Sequence, residues 1–329
     1  MQRRDVLRWG LAAGGAMAMG RAPWAGAAGA RTRVVLVKAE DRRDGVQRAL
    51  RLLSVDGFGR KHVVVKPNFN SADPFPGSTH PETLATLVEW LGGAGAARVT
   101  VADRSGMGNT REVMEAKGAL AQGRKLGFPC VVLDEVPERE WVPHRLAGSH
   151  WRRGVLFPRI VEEADAIVST CCLKTHRFGG HFTLSLKNSV GAVAKFGPDN
   201  YNYMGELHGS PAQRLMIAEI NQLYRPALVL LDGLEAFVDG GPEAGPKAAP
   251  GVILAGTDRV AVDAVGVAIL RLYGTTRAVS AGSIFQQEQI ARAAELGIGV
   301  NRPDLIDLVT DDQPGRAFLD RLRPILLRG

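Results

Sequence analysis

Cysteine is scarce in this chain, at three in 329 residues. That is too few for a disulfide framework and short of the four thiolates that hold an iron–sulfur cluster. No stretch of about 18 residues is continuously apolar, which excludes a protein that crosses a bilayer repeatedly. Lys and Arg outnumber Asp and Glu, 41 to 34, but the basic residues are scattered and not interleaved with aromatics, so no nucleic-acid partner is expected. Internal repeats and a Walker lysine pattern are missing. The glycine-rich Ser105-Gly106-Met107-Gly108-Asn109 falls short of the dinucleotide fingerprint, although its amides suit a phosphate. What is present is ordinary for a globular protein: 45% hydrophobic and 23% charged residues. The length fits one large α/β domain or two small ones.

Residues 1–30 read as an address. Arg3-Arg4 are followed by a weakly apolar run from Trp9 to Gly20, too short to span a bilayer, and by Ala-Gly-Ala triplets that place cleavage after Ala27 or Ala30. The pattern resembles a twin-arginine export signal, with Gln2 and Val6 departing from the usual form. It predicts a periplasmic protein whose partner is the twin-arginine translocase, with no stable transmembrane anchor. Four Arg and one Asp fall in this segment, so of the formal +7 only +4 remains on residues 31–329. A mildly basic surface suits a small anionic ligand.

Beyond residue 30, apolar β-rich runs alternate with helical patterns. The expected class is α/β, with a mostly parallel open sheet, helices on both faces and an inserted small lobe, in a single domain over residues 31–329. The strands expected are Val34–Val37, Val63–Val65, Val99–Ala102, Cys130–Leu133, Ala166–Thr170, Ala227–Leu231, Val252–Ala255 and Ile306–Val309. The helices expected are Gly45–Leu53, Pro81–Leu91, Thr110–Lys117, Pro211–Leu223, Val260–Leu272 and Gly282–Leu296. Four strands run into polar clusters at Lys66-Pro67-Asn68, Asp103-Arg104-Ser105-Gly106, Cys171 to His176, and Asp232-Gly233. Ligands of open α/β sheets sit at the carboxyl ends of strands, so these clusters are expected to share one crevice.

His176 and His181, five apart across a glycine-containing loop, could meet His208 in a ligand set for zinc, nickel or iron. Asp103 and Asp232 are further candidate metal ligands, turn-forming aspartates being the alternative. Lys174, Lys187 and His176 are the candidate catalytic groups, because an amine or imidazole of shifted pKa can move a proton or hold an anion. Lys66, Asn68, Asn188 and Ser105 are the candidate substrate-binding residues. Asp258 reads as a helix N-cap, and Asp263, inside an apolar run, needs a buried partner. Cys171-Cys172 read as buried structural cysteines or soft ligands.

The ordered motifs Lys66-Pro67-Asn68, Ala102-Asp103-Arg104-Ser105-Gly106, Ala164-Asp165-Ala166-Ile167-Val168, Leu173-Lys174-Thr175-His176, Ser185-Leu186-Lys187-Asn188-Ser189-Val190-Gly191, Asp232-Gly233 and Asp258 to Asp263 together resemble the domain-of-unknown-function family 362. The resemblance runs from about Val63 to Val309. Some members carry a ferredoxin-like cluster domain with Cys-x-x-Cys motifs, and this chain has none. The His and Lys content is loosely similar to that of the nickel-pincer lactate racemases, without a matching motif. The resemblance names no reaction. The sequence therefore leaves three readings open: a metal- or cofactor-dependent enzyme acting on a small anion, a non-catalytic binding protein for an anion or metal chelate, and a maturation partner of another exported enzyme. The cofactor stays unidentified, a divalent metal being one candidate.

Overall fold

The computed structural model describes residues 30–328; the export-signal reading falls on residues 1–29, outside the described ones. Among the described residues twelve strands form in chain order: β1 (Thr32–Lys38), β2 (His62–Lys66), β3 (Arg98–Asp103), β4 (Cys130–Val132), β5 (Trp141–His144), β6 (Val155–Pro158), β7 (Ala166–His176), β8 (His181–Thr183), β9 (Leu228–Phe237), β10 (Lys247–Ala248), β11 (Val252–Gly256) and β12 (Ile306–Val309). Eight of them build a sheet in the order β12-β1-β11-β9-β7-β2-β3-β4, with β8 added to β7 and β10 to β9. Within those eight, β11 alone runs against its neighbours; every other adjacent pair is parallel. The separate β5–β6 hairpin is inserted between β4 and β7.

Alternation along the strands splits the core into two faces, because successive side chains point to opposite sides of a sheet. Val35, Val37, Val63, Val65 and Val101 pack with Leu50, Leu84 and Leu87 of the helices Arg42–Leu53 and Pro81–Gly93. Val34, Leu36, Val229, Leu231 and Leu254 face the helices Arg259–Leu272 and Gln313–Arg328. On the second face Val64, Ala102 and Ile167 meet Phe157, Tyr224 and Ile217. Buried on both sides, the central strands read as continuous apolar runs at 34–37, 63–65, 228–231 and 252–255. Helix starts follow their capping chemistry. Pro81 occupies the first turn behind His80, whose Nδ1 accepts from the Glu82 N–H, and Asp258 accepts from Val260 N (2.8 Å) and Ala261 N (3.0 Å).

Two of the expected strands end later than their apolar runs. β7 continues through Cys171 to His176 and β9 through Asp232 to Phe237, because the two strands pair with each other along this extension, with a register shift between Cys172 and Leu173. The polar residues expected at the ends of these strands are therefore largely inside them. Residues 203–209, outside the expected helices, form a helix (Tyr203–Gly209) capped by Asn202, whose Oδ1 accepts from Gly205 N (2.7 Å).

Candidate functional site

A cavity of about 130 Å³ opens over the carboxyl ends of β2, β3 and β7. Each strand sends one charged or titratable side chain to it: Lys66 from β2, Asp103 from β3 and His176 from β7. The short helix Ser185–Asn188, which follows β8, adds Lys187 and Asn188, and His208 comes from the Tyr203–Gly209 helix. Asn68 also lines the cavity, its Oδ1 buried and without a partner among the described residues.

One side of the cavity is a satisfied ion pair. The Lys66 ammonium lies 2.5 Å from Asp103 Oδ1 and donates to Pro67 O (2.7 Å) and Asn188 Oδ1 (3.1 Å). Asp103 also accepts from the Phe69 and Arg104 N–H groups, both at 2.7 Å. Burial pushes its carboxyl up, against the pull of Lys66 and those two donors. Asn188 in turn donates to Lys66 O (3.2 Å) and Ser169 Oγ (3.0 Å), tying the short helix to β2 and β7. Gly191 makes this approach feasible: a Cβ there would lie 2.7 Å from Lys66 Nζ and 2.8 Å from Asp103 Oδ1.

The other side is cationic and unsatisfied. Lys187 is buried, and no carboxylate or carbonyl takes up its ammonium among the described residues. Burial, reinforced by the like charges of Lys174 and Arg104, brings its pKa down to about 7. His176 is buried beside it, with Nδ1 unpartnered among the described residues. Burial and the nearby Lys187, Lys174 and His208 hold this imidazole well below its ordinary value, so the ring is neutral. A Cβ on Gly180 would lie 2.6 Å from Lys187 Cε and 3.0 Å from His176 Nδ1, so both side chains rest against that bare backbone. His208 gives its Nδ1–H to Met204 O (2.8 Å), which leaves Nε2 as the acceptor of a neutral ring. Arg104 brings a further buried guanidinium to the cavity, its donors spent on the carbonyls of Val190, Val193 and Ser105.

Several expected site residues lie elsewhere. Lys174 is fully buried within β7, donates to Gly77 O (2.5 Å) and does not line the cavity, although burial lowers its pKa to about 8. Asp232, inside β9, accepts from Arg42 Nε (2.7 Å) and Thr83 Oγ1 (2.5 Å); it locks two helices to the sheet and is not a crevice ligand. His181 pairs in register with His176 but sits at φ 63°, and its ring has Arg214, Glu288 and Gln287 as neighbours. Ser105 is buried outside the cavity with its N–H on Thr110 Oγ1 (3.0 Å). The expected donor set of His176, His181, His208, Asp103 and Asp232 is thus not assembled, and no group of three or more His, Cys, Asp or Glu is placed to hold a metal ion among the described residues. The chemistry that does meet in the cavity is also wrong for a bare divalent cation: Asp103 is taken by Lys66, and the Arg104 guanidinium repels a cation. Cys171 and Cys172 are buried free thiols, their pKa values raised by burial, Cys172 to about 11. They are structural.

Sequence reasoning passed over Arg104, Gly180, Gly191, Met107 and Phe178 as site residues. Arg104 and Gly191 stand inside the quoted motifs, directly after Asp103 and three residues after Asn188, which was the available signal. Met107 stands in the glycine-rich stretch after β3, which pointed to its backbone and not to its side chain, and Phe178 has no such signal.

The fold and site together define an open, mostly parallel α/β protein with a cavity lined by Lys66, Arg104, His176 and Lys187 at its strand ends. A profile described as Domain of unknown function (DUF362) matches residues 63–268, and the chain belongs to that family. A thylakoid-associated protein of Synechocystis sp. is 27% identical over 259 residues, covering 76% of this chain and 74% of the relative. Among solved structures, the lactate racemase apoprotein from Thermoanaerobacterium thermosaccharolyticum is similar at a TM-score of 0.43 and 13% identity, over 89% of this chain and 86% of that one. A protein from Thermotoga maritima is similar at 0.41 and 16% identity, over 67% and 55% of the two chains.

Proposed function

We propose that the chain is an enzyme that binds a small oxyanion in this cavity and moves a proton on it. The observation that carries the reading is Lys187: a buried amine facing a cavity, with two cations as its electrostatic neighbours and no anion to satisfy it. Burying an unpaired charge is costly, so the amine stays largely neutral above pH 7 until an anion arrives. The ligand's charge then favours the ammonium, which holds it. His176, neutral and lining the cavity, is the group that would accept or return a proton of the bound molecule. Lys66, Asn68 and Asn188 fix the opposite wall, and the Lys66–Asp103 pair keeps that wall close to neutral.

The test has two parts. Calorimetric titration with acetate and with inorganic phosphate should show binding that Lys187→Met removes; binding unchanged in that variant, or none to the native protein, refutes the reading. A panel of small carboxylic acids in deuterated water should then show exchange at the carbon beside the carboxylate, lost in His176→Gln. Binding without exchange for every acid would make the chain a passive anion-binding protein.

A further inference from the structure

Large apolar side chains left exposed are few, and they concentrate at the cavity mouth. Among the described residues there are four, and two of them, Phe178 (47% exposed) and Met107 (39%), line the cavity. A third, Phe196, follows Lys195, whose ammonium donates to Gly108 O beside Met107. These positions are held in place. Met107 donates its N–H to Asn70 O (2.7 Å) and receives Asn70 Nδ2 at its sulfur (3.7 Å). The Phe178 ring stands edge-on to His176, with centroids 5.8 Å apart, and Arg177 Cζ lies 4.6 Å from its centre. Apolar surface kept in water this way marks a place where another apolar group is received.

The cavity itself is small beside typical ligand pockets of ~300–1,000 Å³, so it encloses a head group and the rest of any larger ligand must leave past the rim. Resting on the anion reading above, we infer that the ligand is an amphiphilic oxyanion: a carboxylate or phosphate seated on Lys187, joined to an alkyl or aryl body that lies against Phe178 and Met107. A fully polar metabolite would leave that rim uncovered and gain nothing from it.

The experiment is a titration of the full protein with n-alkyl carboxylates from acetate to octanoate and with the matching monoalkyl phosphates. Affinity should rise about threefold to fourfold for each methylene that reaches the rim, from ~0.8 kcal/mol per buried CH₂, and the class that binds better at short chain length identifies the head group. Phe178→Ala and Met107→Ala should reduce the gain per methylene measured against each variant's own affinity for acetate or phosphate. Leu327→Ala, an exposed apolar residue outside the cavity, should change neither. A flat series with the head group still bound overturns this inference and spares the anion reading, as does a chain-length gain that survives both rim variants. No binding of any head group overturns both.

Discussion

Lys187 sets the pH behaviour of the site. Its pKa is about 7 in the free protein, and a bound anion raises it towards the ordinary lysine value near ~10.4. Between those limits the complex holds one more proton than the free protein. Binding at pH 8 should therefore take up close to one proton, and affinity should fall about tenfold per pH unit above 7 while staying level below it. Calorimetry in two buffers of different ionisation enthalpy reads the uptake directly; affinity flat from pH 6 to 9 would contradict it. At the same scale, Gly191→Ala must push apart the Lys66–Asp103 pair and should cost about 1–3 kcal/mol of stability in urea unfolding. Gly92→Ala, in the helix Pro81–Gly93 where an added Cβ meets nothing within 4 Å, should stabilise by about 0.5–1 kcal/mol.

Among the elements, the helix Arg259–Leu272 is the support of the site. Asp263 accepts from the N–H groups of Ser185 (2.8 Å) and Leu186 (2.9 Å), the opening of the short helix that carries Lys187. One turn earlier Arg259 donates to Asn221, which holds Leu186 O (3.2 Å) and accepts from Ser189 Oγ (2.6 Å). Asp263→Ala should leave two buried N–H groups unpaired, cost about 2–5 kcal/mol in urea unfolding and weaken anion binding; Asp263→Asn, which keeps an acceptor, should cost less. These relations were half visible in the residues. The central strands stood out because strands buried on both faces are unbroken apolar runs, as at 34–37, 63–65, 228–231 and 252–255, and the N-cap role of Asp258 could be read from its position. The extension of β7 could not, since Cys171 to His176 mixes polar and apolar residues and is in the sheet only because β9 and β8 pair with it. Nor could the parting of His176 and His181, which turns on one left-handed backbone angle at position 181. Spacing brought the two imidazoles together on paper; the local dihedral sends them to different neighbours.

At the scale of the whole molecule, the export reading and the cavity are separable claims. Replacing Arg3 and Arg4 together by Lys should hold the protein in the cytoplasm, read by fractionation, while the purified protein still binds anions as the native chain does. Equal export of the double variant would overturn the twin-arginine reading without touching the site. The sheet also has a history written into its order. β1 lies between β11 and β12, with Val34 opposite Gly256 on one side and Leu308 on the other. At ~5–20 residues per second of synthesis, on the order of ten to forty seconds pass between making β1 and making even the nearer of its partners. For that interval the apolar run 34–37 at the centre of β1 has no strand beside it, and whatever shields it in the cell acts on a nascent chain whose sheet cannot yet close.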